Sequence, residues 1–168
     1  NQVRYVEKGK TQQIGDFTVT PFAVPHDSSD CVGYCVQCEG ITFTLVTDCG
    51  HVTEEICAFV AKANYLVIEA NHEVEKLMAG PYPLYLKERI TSQIGHLSNA
   101  ECARTIVENA TENLKHVWLC HLSDENNHPE LARIAVTSLM ESYGLRAGVD
   151  FIVEVLRRKI PSEIYDLK

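Results

Sequence analysis

The sequence predicts an α/β layer fold, and three observations predict it. A strand-rich opening stretch gives way to alternating helical and strand patterns, the order that lays helices against a sheet. The short apolar runs Tyr65-Leu66-Val67-Ile68 and Val117-Trp118-Leu119-Cys120 are uninterrupted, as in strands covered on both faces. Ser98-Asn99-Ala100-Glu101 has the form of a capping box, which marks a helix start between those two strands. Composition agrees. Of 168 residues, 45% are hydrophobic and 23% charged, so the chain can bury enough surface to fold and is not intrinsically disordered. Nine Gly and six Pro exclude collagen-like and low-complexity classes. The length predicts one domain over residues 1–168, with no internal repeat.

Each element has a local reason. Phe17 to Val24 is β-rich and stops at Pro25. Cys31 to Cys38 and Ile41 to Thr47 are separated by Glu39-Gly40, which reads as a tight hairpin. Thr53 to Lys62 places Ile56, Phe59 and Val60 at helical spacing, with Thr53 as N-cap and two Glu in the first turn. Tyr65 to Ile68 is a strand. Asn71 to Ala79 reads as a helix, Gly80-Pro81-Tyr82-Pro83 breaks it, and Leu84 to Ser92 reads as another. The helix opened by Ser98 runs to about Asn109. His116 to Cys120 is a buried strand. Pro129 sits where a first helical turn tolerates it, and Gly144 stops that helix after Tyr143. Phe151 to Leu156 closes the pattern as a last strand.

Charge and cysteine content narrow the function classes. With 15 Lys and Arg against 23 Asp and Glu, the formal net charge is −8. That argues against binding nucleic acid by charge alone, although bound divalent ions would reverse the field locally. No apolar stretch is long enough to cross a membrane, and Asn1 to Lys10 is too polar for an export signal. The seven cysteines then read as reduced thiols of a cytoplasmic protein.

The informative pattern lies in the polar residues just past each apolar strand. Phe22-Ala23-Val24-Pro25 delivers His26-Asp27, Thr44-Leu45-Val46-Thr47 delivers Asp48, Leu66-Val67-Ile68 delivers Glu69 and then Asn71-His72, and Val117-Trp118-Leu119-Cys120 delivers His121. In α/β sheets chemistry gathers at the carboxyl ends of strands. Imidazole with carboxylate suits Zn or Mn, and a carboxylate such as Asp48 is able to bridge two ions, an arrangement used in phosphate-ester and amide hydrolysis. Gly95-His96-Leu97-Ser98 adds a histidine before a helix N-terminus, where it is placed to hold a phosphate oxygen or give a proton to a leaving group. Each residue also has a bland account. Asp48 before Cys49-Gly50 favours a turn, Glu69 caps a helix, His96 packs against the helix it precedes, and a lone His after a strand is solvated. The bland accounts serve each residue singly and serve the repeated pattern poorly. Two other patterns are set aside. Cys31-x3-Cys35-x2-Cys38 has iron–sulfur spacing, but Cys35 and Cys38 fall on opposite faces of a strand. Cys120 and His121, as neighbours on a strand, do not form a nucleophile–base pair.

Taken in order, Val24-Pro25-His26-Asp27, Thr47-Asp48-Cys49-Gly50, Glu69-Ala70-Asn71-His72, Gly95-His96-Leu97-Ser98-Asn99 and Cys120-His121-Leu122-Ser123 resemble the metallo-β-lactamase superfamily. Within it they are most similar to the YycJ/WalJ-like metallo-hydrolases, and Gly80-Pro81-Tyr82-Pro83 and Leu122 to Asn127 extend the match. The resemblance implies an αβ/βα sandwich, of which this chain is mainly the C-terminal half: one mixed sheet with flanking helices. It implies a dinuclear site of two divalent ions, Zn or Mn, with His26 on the first metal, Asp48 bridging, and His121 on the second. It places His96 beside the scissile phosphate, with Glu69 and His72 in the supporting stretch after the bridging aspartate. It implies a hydrolase of DNA phosphodiester bonds working from 5′ to 3′. Other hydrolases on the scaffold, acting on RNA or thioesters, and a non-catalytic interaction module are the alternatives. The superfamily's His-x-His-x-Asp-His motif does not occur in these residues. The resemblance therefore assigns that motif, and completion of the site, to an N-terminal half outside them.

Overall fold

The computed structural model describes residues 3–168. Asn1 and Gln2, the start of the polar segment read as no export signal, lie outside the described residues. The elements run β1 (Gln12–Ile14), β2 (Phe17–Ala23), β3 (Val32–Cys38), β4 (Ile41–Val46), α1 (Glu54–Lys62), β5 (Tyr65–Glu69), α2 (Val74–Ala79), α3 (Leu84–Ile90), α4 (Asn99–Asn109), β6 (His116–Cys120), α5 (Pro129–Ser142) and β7 (Ile152–Val155). All seven strands form one mixed sheet in sequence order. β1 to β4 make an antiparallel meander, and β4 to β7 are parallel. Because β2 and β4 are both antiparallel to β3, they run the same way. The carboxyl ends of β2, β4, β5 and β6 therefore reach one edge of the sheet.

The helix signals in the sequence have their physical counterparts. Thr53 accepts the Ile56 amide at the start of α1, and Ser98 and Glu101 form the full capping box of α4. Pro129 occupies the first turn of α5, whose N-cap is His128, a residue without an assigned role in the sequence reading. β1 was not expected, and α2 begins at Val74 rather than Asn71. Asn71 and His72 stay extended because the Asn71 amide donates to the Leu97 carbonyl at 2.9 Å and His72 bridges to Ser98.

The core lies on one face of the sheet. Phe22, Cys35, Val46, Leu66, Ile68, Val117 and Leu119 pack there against Ile56 and Val60 of α1, Cys102, Ala103 and Ile106 of α4, and Ala132, Val136 and Met140 of α5. The opposite face carries Tyr34, Val36, Phe43, Leu45 and Val67, all half-buried. Cys35 is buried on the helix side while Cys38 is half-buried on the other, so the three-cysteine spacing gathers no ligand set. All seven cysteines are free. No helix among the described residues is long and apolar enough to cross a membrane.

Candidate metal centre

The parallel strands deliver their polar ends to one place. Asp48, Glu69, His96 and His121 each offer a ligand atom, and these atoms lie within 4.8 Å of one another. His26 joins them, with its Nε2 3.7 Å from Asp48 Oδ1. The His26 and His96 rings lie 4.9 Å apart between centroids, and His96 and His121 5.2 Å. Three residues far apart in sequence, His26, Asp48 and His121, thus meet at one rim.

Glu69 organises the group. Its side chain is fully buried at the end of β5. Oε2 accepts from the Asp48 amide at 2.7 Å and from His121 Nδ1 at 2.8 Å, while Oε1 accepts from the Leu97 amide at 2.9 Å and from His96 Nδ1 at 3.1 Å. Burial alone would push this carboxyl up, but the hydrogen bonds and charge of His121 and His96 outweigh it and hold Glu69 below the ordinary carboxylate value. An ionised Glu69 accepts only, so both Nδ1 atoms must carry their protons. That leaves Nε2 of His96 and of His121 as the free ring nitrogens. His26 is fixed in the same sense, since its Nδ1 donates to the Gly95 carbonyl at 3.0 Å. Three imidazoles held through Nδ1 with Nε2 free is the tautomer that metal ligation through Nε2 requires. The hydrogen bond that His121 donates to Glu69 also raises the His121 pKa above the ordinary histidine value, against the opposing effect of burial.

Backbone strain marks the same positions. Asp48 and His121 both have φ +53°, a left-handed conformation that non-glycine residues rarely adopt. Each is pinned from outside: the Asp48 amide donates to Glu69, and the His121 carbonyl accepts from Asn71 Nδ2 at 2.9 Å. Strain held by surrounding contacts is a common mark of a functional site. Gly95 is required by close approach, because a Cβ there would sit 2.2 Å from the Ile90 carbonyl oxygen.

The remaining expected residues fall around this group. His72 is almost fully buried outside the cluster, with Nδ1 unpartnered and its pKa lowered by burial. Its carbonyl accepts from the Asn99 amide at 2.8 Å, so it ties β5 to the start of α4. Asp27 pairs with Arg89, which lowers its pKa. Cys49 and Cys120 lie close by, and burial, reinforced by the Glu69 charge, pushes both thiols up to about 12. The sequence reading gave no role to Asn71, Asn99 and Asn127. Asn99 and Asn127 exchange side-chain hydrogen bonds at 2.9 and 2.8 Å, and Asn127 also donates to the Ala70 carbonyl. Their signal was placement: each stands beside a strand end or a helix start, where backbone groups need partners.

Fold and donor set together define a class. The sequence pattern of the β-lactamase superfamily domain matches residues 1–121, and the chain belongs to that family, the metallo-β-lactamase superfamily. Over 156 residues it is 35% identical to the exodeoxyribonuclease YycJ of Bacillus anthracis, covering 93% of this chain and 59% of YycJ. Over 153 residues it is 38% identical to the exodeoxyribonuclease WalJ of Streptococcus pneumoniae D39, covering 91% of this chain and 57% of WalJ. The chain is thus YycJ/WalJ-like and spans a little under three-fifths of the length of those curated relatives. Among solved structures, the metallo-β-lactamase fold protein YhfI of Bacillus subtilis superposes with a TM-score of 0.65 at 16% identity, over 90% of this chain and 52% of YhfI. Zinc-bound PqqB of Methylobacterium extorquens follows at 0.57 and 18% identity, over 89% of this chain and 49% of PqqB. These two show the fold. The oriented imidazoles and the carboxylate fit divalent metal ions.

Proposed function

We propose that this chain forms the C-terminal part of a metal-dependent phosphodiesterase that degrades DNA from 5′ to 3′. The observation that carries the reading is the buried Glu69 carboxylate holding His96 and His121 through Nδ1, beside Asp48. In this reading His26 and His121 would hold two ions, zinc or manganese, with Asp48 available to both. Such ions lower the pKa of a water and stabilise charge on a phosphoryl oxygen. His96 stands beside the scissile phosphate and stabilises its developing charge. Glu69, fully buried, positions the ligands rather than touching the substrate, and His72 braces β5 against the start of α4 behind them. The names of the relatives support DNA as substrate, and the reduced cysteines support a cytoplasmic setting.

A second layer of the same fold, outside these 168 residues, supplies the remaining ligands. The half-buried Tyr34, Val36, Phe43, Leu45 and Val67 support this, because a mixed sheet with helices on one face leaves an apolar face to be covered. The length of the relatives supports it too.

Metal content and nuclease assays test the reading together. Asp48→Ala and His121→Ala in the complete protein should each lower bound zinc or manganese, read by elemental analysis, and abolish release of nucleotides from the 5′ end of labelled DNA. Unchanged metal content and unchanged cleavage in both variants would refute it. Cleavage of RNA or a thioester in place of DNA, in a substrate panel, would keep the metal centre and overturn the substrate.

A further inference from the structure

We propose that the cavity beside the histidine cluster seats the end of a single polynucleotide strand, with Arg157 positioning a backbone phosphate and Tyr82 carrying a base. The proposal rests on the phosphodiesterase reading above and extends it to substrate recognition. The cavity has a volume of about 920 Å3, with His96 and His121 lining it. Small-ligand pockets span roughly 300–1,000 Å3, so this one has room beyond a single phosphate.

Its lining is divided. One part is Tyr82 and Leu86, from the segment between α2 and α3 and from α3 itself. Another is Leu156 with Arg157 and Arg158, just past β7. Three arginines line the cavity, and two are committed. Arg89 pairs with Asp27. Arg158 donates to the Leu122 carbonyl at 2.5 Å and pairs with Asp124 at 3.1 Å. Arg157 is exposed and makes no ion pair or side-chain hydrogen bond among the described residues.

Charge makes that free guanidinium decisive. A chain of net charge −8 repels a polyanion at long range, so attraction has to be local. A guanidinium recognises phosphate by paired donors. The Tyr82 and Leu86 part of the lining suits what a nucleotide presents besides its phosphate, an apolar face. Tyr82 stands between Pro81 and Pro83, whose fixed φ angles reduce the ordering cost of presenting it. An aromatic surface and a cation lining one groove is how single strands are held without sequence preference. An inorganic phosphate would leave the apolar part of the lining unused.

The test is fluorescence anisotropy of the complete protein with 3′-fluorescein-labelled octathymidylate and with an abasic octamer of equal charge. Both are titrated in EDTA at several KCl concentrations, so that binding is read without cleavage. Arg157→Gln should weaken binding of both strands about tenfold and reduce the slope of log affinity against log salt by about 0.7, one single-strand phosphate contact. Tyr82→Leu should weaken octathymidylate about tenfold and leave the abasic strand unaffected, while Tyr82→Phe retains wild-type affinity. Wild-type affinity and salt slope in Arg157→Gln, an equal loss on both strands in Tyr82→Leu, or failure of the wild type to bind either strand would each overturn the proposal. Wild-type cleavage of DNA with manganese is scored separately. Cleavage with undisturbed variants sinks the strand seat alone. The expected binding losses without any cleavage sink the phosphodiesterase reading alone.

Discussion

Glu69→Gln is the sharpest probe of the site, because it keeps the shape and removes one acceptor. Glu69 receives four donors: the amides of Asp48 and Leu97, and Nδ1 of His121 and His96. Glutamine has one carbonyl oxygen and one NH2. If the NH2 takes the Oε1 position it confronts the Leu97 amide and His96. If it takes the Oε2 position it confronts the Asp48 amide and His121. A histidine can respond by moving its proton to Nε2, but a backbone amide has no such freedom. One buried amide is therefore left without an acceptor in either orientation, at a cost of about 1–3 kcal/mol. The surviving bonds lose their charge assistance, so the total comes to about 2–4 kcal/mol, a large share of the 5–15 kcal/mol that holds a typical domain. The tautomer switch has its own consequence, since a protonated Nε2 does not ligate a metal. Loss of such an orienting partner typically costs about 10- to 100-fold in metal affinity. Urea denaturation followed by circular dichroism reads the first effect, and zinc competition with a chromogenic chelator reads the second. A Glu69→Gln protein with the wild-type denaturation midpoint and zinc affinity within twofold would refute the assignment of Glu69 as the orienting group.

Single contacts give further expected outcomes. Gly95→Ala should destabilise by about 1–3 kcal/mol or more in urea melts, because the new Cβ meets the Ile90 and Arg89 carbonyl oxygens at 2.2 and 2.3 Å. It should also disturb His26, whose Nδ1 partner is the Gly95 carbonyl. Ser98→Ala removes the acceptor of the Glu101 amide and the hydroxyl that donates to the Glu101 carboxylate, and should cost about 1 kcal/mol in the same melts, with Ser98→Thr restoring most of it. His116 should make stability fall at mildly acidic pH. Burial lowers its pKa below 6.5, with Glu154 opposing, so the unfolded chain takes up the proton first as pH falls. Its contribution is therefore present above pH 6.5 and lost as pH drops through the lowered folded value. His116→Phe, which keeps an aromatic ring on Trp118, should flatten the dependence of the denaturation midpoint between pH 7.5 and 5.5. An unaltered slope would assign the effect elsewhere.

Much of the fold was legible because its signals are local. A capping hydroxyl three residues before a glutamate, a proline in a first turn and a continuous apolar run act within a few residues, and Thr53, Ser98, Pro129, β5 and β6 all stand where those signals put them. β1 was missed because Gln12-Gln13-Ile14 has no strand signal of its own. It exists because β2 offers an edge to pair with, and Thr11 and Thr20 join their hydroxyls at 2.8 Å beside it. Asn71 and His72 read as the start of a helix by propensity, and contacts to Leu97 and Ser98, more than 20 residues away, override it.

The site divides in the same way. That His26, Asp48, Glu69 and His121 come after strands is written in the chain, and parallel direction then forces them to one edge. What local pattern does not carry is which of them faces inward. Glu69 directly ends β5, whereas Asp48 and His121 stand one or two residues past their strands in left-handed turns. Full burial gives Glu69 the amide of one turn and the imidazole of the other. The two turns are then linked through a single carboxylate. Straightening either turn would break a hydrogen bond that the other needs for its orientation, which is why two strained residues persist side by side at this edge. Asp48→Gly, which relieves strain at one turn, should therefore raise chain stability in urea melts while lowering metal affinity. A loss of stability instead would show that the Asp48 side chain, and not the turn it occupies, holds this corner of the sheet.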